Sequence, residues 1–122
     1  MIHEETVTYE VCKLAKKKGF NEKCYHYYQN GALESDGCFN RYNKGVDSVC
    51  SAPTQSLLQR WLREEKRIDA GAVWDNRDGK WIGYVNEMDM PDLVGEYVLS
   101  DTYVSYELAL EDALKYVIEK LI

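Results

Sequence analysis

At 122 residues, with 45% hydrophobic and 30% charged side chains, the chain has the make-up of one globular domain that can bury a core without metal or disulfide staples. That balance excludes an intrinsically disordered chain, and no apolar run approaches the length of a membrane span. The net charge of −6 is unevenly spread: residues 1–50 set seven cations against seven acids, 51–67 four against two, and 68–122 four against twelve. A nucleic-acid-binding face must be positive to displace counterions from phosphates, so only the short 51–67 island qualifies.

The amino-terminal MIHEETVTYE has no basic stretch followed by an apolar run, so no secretory signal is expected and a cytoplasmic location follows. Along and just before the run Thr8–Lys18, Val7, Val11, Leu14, Ala15 and Lys18 recur at helical spacing. Thr6 or Thr8 serves as cap, and Gly19 suits the left-handed residue beyond the end. Lys16, Lys17 and Lys18 sit where cations complement the helix dipole. In CYHYYQNGALE, Asn30-Gly31 between two short extended runs signals a tight hairpin. Alternation places Cys24, His26 and Tyr28 on one face, and Tyr25, Tyr27 and Gln29 on the other. Residues 35–50 are polar and punctuated by glycine, which predicts a loop with one short strand around Val46–Cys50.

The run SAPTQSLLQRWLREEKR predicts a helix from Pro53 or Thr54 to about Lys66, capped by Ser51 or Thr54. Leu57, Leu58, Trp61 and Leu62 form its apolar stripe, with Gln55, Gln59, Arg60, Arg63 and Arg67 on its exposed side. DAGAVWDNRDGKWIGYVNE reads as a second hairpin: Ala70, Ala72 and Trp74 share a face of one strand, and Trp81, Gly83 and Val85 a face of the next. NEMDMPDLVG is expected to be a loop whose acids are solvated, and GEYVLSDTYV a third strand. In SYELALEDALKYVIEKLI, apolar residues from Tyr106 to Leu121 recur without interruption, giving an amphipathic helix capped by Ser105. The expectation is a single α+β domain spanning residues 1–122, an antiparallel sheet packed by helices, in the order α-β-β-α-β-β-β-α.

Cys12, Cys24, Cys38 and Cys50 lie 12, 14 and 12 residues apart. Without closely spaced ligand pairs, a zinc site built on Cys24 and His26 is disfavoured, and free thiols are expected with no metal and no cofactor. No nucleophile–base–acid constellation, phosphate-cradling glycine loop or HExxH motif is present, so catalysis is not expected. The α-β-β-β-α run over 54–121 has the element order of a double-stranded RNA-binding domain. Its last helix, however, opens SYELALED, with Glu107, Glu111 and Asp112 where such a domain needs lysines. Surplus aromatics point instead to a contact surface, with Tyr25, Tyr27 and Tyr84 as candidate binding residues for a protein partner or a homodimer. The alternative is nucleic-acid binding through Arg60, Arg63, Lys66 and Arg67.

The segments YEVCKLAKKKGFNEKC, APTQSLLQRWLRE and SYELALEDAL together resemble a family of small uncharacterised proteins encoded on prophages and other mobile elements of Bacteroides-type gut bacteria. In that family the last segment is a T-Y-E-E-A-L-like run; here Ser105 holds the cap and Leu108 stands where an acid is usual. The resemblance implies a bacterial or phage cytosolic origin and a compact α+β fold, and it transfers no activity and no site residue.

Overall fold

Capping residues and glycines bound several elements of this chain at the positions their chemistry favours. A computed structural model describes residues 4–40, 48–90 and 95–122. The elements are α1 (Tyr9–Lys17), β1 (Cys24–Gln29), β2 (Ala32–Asn40), β3 (Val49–Ala52), α2 (Gln55–Lys66), β4 (Ile68–Asp75), β5 (Lys80–Glu87), β6 (Glu96–Tyr103) and α3 (Tyr106–Tyr116), which continues into a π-helical turn over Val117–Leu121. The fold is α+β and its strands pair antiparallel. They form two three-stranded sheets, β2-β1-β3 and β4-β5-β6, so the order carries one strand more than expected. The chain divides into two compact units, 1–57 and 58–122, and the division falls in the first turn of α2.

In the first unit, Thr8 caps α1 by accepting from the Val11 amide at 3.3 Å. The helix stops in a Schellman arrangement: Phe20 N donates to Ala15 O at 3.0 Å and Gly19 N to Lys16 O at 3.2 Å, with Gly19 at φ 95°. That geometry needs a left-handed residue, which glycine supplies at no steric cost, and it folds Phe20 back into the interior. Val7, Val11, Cys12 and Ala15 are buried, whereas Leu14 is only half-buried. The β1–β2 hairpin turns at Asn30 (φ 51°) and Gly31 (φ 84°), the positive pair that a two-residue turn requires. β2 carries on through Ser35–Asn40, which polarity alone assigns to a loop. Sequence places a strand around Val46–Cys50; β3 begins only at Val49, and 41–47 lie outside the described residues. Thr54, not Ser51, caps α2, accepting from Leu57 N at 3.2 Å, while Ser51 is buried in β3.

Gln55 departs from the expected exposed face: it is 5% exposed, and its backbone N–H donates to the Glu5 carbonyl at 2.8 Å beside the Thr6–Thr54 bridge. An extended amino-terminal segment therefore runs against the start of α2 and turns its first residue inward.

In the second unit, Leu58, Trp61 and Leu62 are buried, while Leu57, the last residue of the first unit, is half-buried. β4 and β5 pair in unbroken register from Ile68↔Glu87 to Asp75↔Lys80, so Asn86 and Glu87 belong to the sheet and not to the following loop. Residues 91–94 of that loop lie outside the described residues. Ser105 caps α3 by accepting from Leu108 N at 3.1 Å, as its sequence predicts. α3 packs on the sheet through Ala109, Leu110, Ala113 and Leu114, with Val117 and Ile118 buried beyond them. Close approach rests on Gly83. A Cβ there would stand 2.9 Å from the Ala109 carbonyl oxygen and 3.2 Å from both Ala113 Cβ and Leu99 Cδ1. The same point is where β6 bulges, since the pairs Ile82↔Thr102 and Tyr84↔Val98 leave extra β6 residues opposite Gly83.

Candidate functional site

Strand alternation assigns the two faces of β4-β5-β6 to different tasks. Trp81 packs edge-on against Tyr106 at 5.3 Å, Tyr97 against Tyr116 at 6.1 Å, and Gly83 meets α3 directly, so these residues face the helix. The opposite face carries Asp69, Gly71 and Val73 of β4, their register partners Asn86, Tyr84 and Ile82 of β5, and Glu96 and Val98 of β6. Most of these residues, with Ala72 and Tyr97, line a cleft of about 810 Å³. Val73 is 40% and Val98 59% exposed, on strands either side of Tyr84. This face therefore presents apolar side chains to solvent with Asp69 and Glu96 among them.

Tyr84 forms the floor. A Cβ on Gly71, its cross-strand partner, would lie 2.5 to 2.7 Å from the Tyr84 ring and hydroxyl, so the ring lies across the bare glycine backbone. From there its hydroxyl donates to Asp69 Oδ2 at 3.2 Å, and Arg63 Nη1 of α2 stands 3.7 Å from Asp69 Oδ1. Burial, together with the Asp69 carboxylate beside it, raises the Tyr84 hydroxyl above the ordinary tyrosine value, so it stays a donor at neutral pH. Tyr97, at the edge of the cleft, donates to Glu87 Oε2 at 3.5 Å; burial raises its hydroxyl too, with Tyr116 and Glu87 adding to the effect. These groups hold side chains in place and supply acceptors.

Of the six residues singled out from sequence, the structure brings two to one point: Tyr84 and Arg63 meet on Asp69. Tyr25 and Tyr27 belong to β1 in the first unit, where Tyr25 is exposed and packs against His26 at 5.1 Å. Arg60 and Arg67 lie on or just beyond α2, engaged elsewhere. Arg60 Nε binds Glu64 Oε1 at 3.1 Å and Arg67 Nη2 binds Asp89 Oδ1 at 3.4 Å, while the Lys66 ammonium lies 5.3 Å from the Trp61 ring centroid. Sequence reasoning missed Asp69. The available signal was a glycine inside a strand, two residues from an acid, because such a glycine marks a close approach.

Among the described residues no group of three or more His, Cys, Asp or Glu side chains could hold a metal ion, and no helix is long and apolar enough to cross a membrane. No family model, curated protein or solved structure matches the chain.

Proposed function

We propose that the chain is a non-enzymatic accessory protein of a prophage or other mobile element, and that it binds a protein partner through the face of β4-β5-β6 opposite α3. The observation that carries this reading is the pair of exposed valines, Val73 and Val98, on either side of a fixed tyrosine floor and next to Asp69 and Glu96. Apolar surface rimmed by polar groups is the usual anatomy of a contact site. The acids select a partner segment that is apolar and cationic. Copies of a chain carrying a net charge of −6 repel one another, so a different protein is the favoured occupant. The resemblance of three segments to mobile-element proteins supplies the genetic setting.

Nucleic-acid binding draws on Arg60, Arg63, Lys66 and Arg67, and each of these already has an acidic or aromatic neighbour. A phosphate would have to displace those neighbours against the acidic charge of the second unit.

Pull-down from a bacterial host lysate, paired with light scattering on the purified chain, tests the proposal. A partner whose capture falls by about tenfold or more in Val73→Asp/Val98→Asp, and persists in Arg60→Gln/Arg67→Gln, supports it. Capture indifferent to the valine changes, or a monomer that retains nothing, overturns it.

A further inference from the structure

Three of the four cysteines are buried free thiols in the first unit, and their surroundings differ sharply. Cys12 lies on α1 and Cys50 on β3, elements that pack together, and both side chains are buried. One turn beyond Cys12, the Lys16 ammonium donates to the Val49 carbonyl at 2.7 Å, immediately before Cys50 in the chain. Among the described residues no cation acts on Cys24 in this way. Its thiol donates to the Glu22 carbonyl at 3.4 Å, and burial pushes it up to about 12.

We propose that Cys12 and Cys50 are a thiol–disulfide site, closing reversibly into an intramolecular disulfide that ties α1 to β3. The neighbouring Cys12 thiol and the positive charges of Lys16 and Lys13 lower the Cys50 thiol against its burial, which makes Cys50 the attacking sulfur. Its thiolate attacks a small disulfide such as oxidised glutathione, forms a mixed disulfide and expels one glutathione thiolate. Cys12 then gives up its proton and attacks Cys50 Sγ, expelling the second glutathione. Two protein thiols are oxidised and one glutathione disulfide is reduced to two thiols, so atoms and electrons balance. Cys12 is 0% and Cys50 3% exposed, so the oxidant enters during local opening of the nine-residue α1. In a reducing compartment the site rests as the dithiol and closes when the glutathione pool is oxidised.

The test treats the full, native chain with oxidised glutathione and maps its peptides without reduction. Two of the four thiols are expected to be lost, with a Cys12–Cys50 cross-link that dithiothreitol reverses, while Cys24 stays reduced. In Cys12→Ser the reaction is expected to stop at a glutathione adduct on Cys50, and Cys24→Ser is expected to behave as the wild type. A cross-link through Cys24 or Cys38, or native thiols that stay reduced while the urea-unfolded chain reacts, overturns the proposal. Because the wild-type peptide map decides the matter by itself, a variant that fails to fold leaves the test intact.

Discussion

The outer edge of α2 and the face of β4-β5-β6 opposite α3 both carry side chains suited to recognition, yet only the sheet face has apolar groups left without cover. Arg60, Arg63 and Arg67 each stand within 4 Å of a carboxylate, whereas Val73 and Val98 project to solvent around a tyrosine that is itself immobilised. A row of cations read from sequence thus overstates the charge available to a ligand. Apolar exposure at a sheet face emerges only once the strands are paired. Arg63 links the two regions, because it is at once a helix cation and the third member of the Tyr84–Asp69 cluster.

The largest effect is expected from filling the space under Tyr84. Gly71→Val places methyl groups where the ring now lies, and the phenol has to leave both the glycine and Asp69. Overpacking of this kind costs about 1–3 kcal/mol. Urea unfolding measures it, and the cost should shrink when Tyr84→Ala is added, since the two changes share one space. A cost that simply adds would mean the ring does not rest on Gly71, and the cleft would lose its floor.

Removing only the hydroxyl is milder. Tyr84→Phe keeps the ring over Gly71 and deletes the bond to Asp69, a loss of about 0.5–1.5 kcal/mol for one hydrogen bond. The pH dependence has a definite sign. The folded hydroxyl titrates above its ordinary 10.0, so its contribution is complete below that value and declines as pH rises through the folded value. Wild type and Tyr84→Phe should therefore differ most at neutral pH and converge in strongly alkaline solution. A gap that stays constant to high pH would remove Asp69 from the account.

How much of this was legible in the sequence depends on how far apart the interacting residues lie. Thr8 and Gly19 bracket α1, Asn30-Gly31 sets the hairpin and Ser105 starts α3 because each effect acts within a few residues. The α3 stripe was equally readable, since a long amphipathic repeat leaves one face to bury. Gln55 was misplaced because its burial depends on Glu5 and Thr6, some fifty positions earlier. The Tyr84–Gly71–Asp69 cluster was only hinted at, by Gly71 in a strand, for a similar reason. It exists only in the β4–β5 register, and a shift of one residue would have put Tyr84 on the helix side.

The smallest expected change bears on the α2 edge, and it runs in the stabilising direction. Arg67 follows the last residue of α2 with φ 59°, a left-handed conformation that a residue with a Cβ adopts at a cost, while its carbonyl accepts from Met88 N at 3.0 Å. Its ion pair with Asp89 joins two largely exposed side chains and contributes little. Arg67→Gly relieves the backbone, keeps the carbonyl acceptor and gives up that weak pair. Part of the gain is offset by the greater freedom of glycine in the unfolded chain, leaving a net stabilisation of about 0.5 kcal/mol. Urea unfolding at low and high salt checks it. If Arg67 serves only to end the helix, the variant is more stable at both ionic strengths and captures the partner as well as the wild type does. A variant that loses stability only at low salt would show that the Arg67–Asp89 pair matters more than the backbone conformation, and the α2 edge would regain the electrostatic weight that its paired cations now argue against.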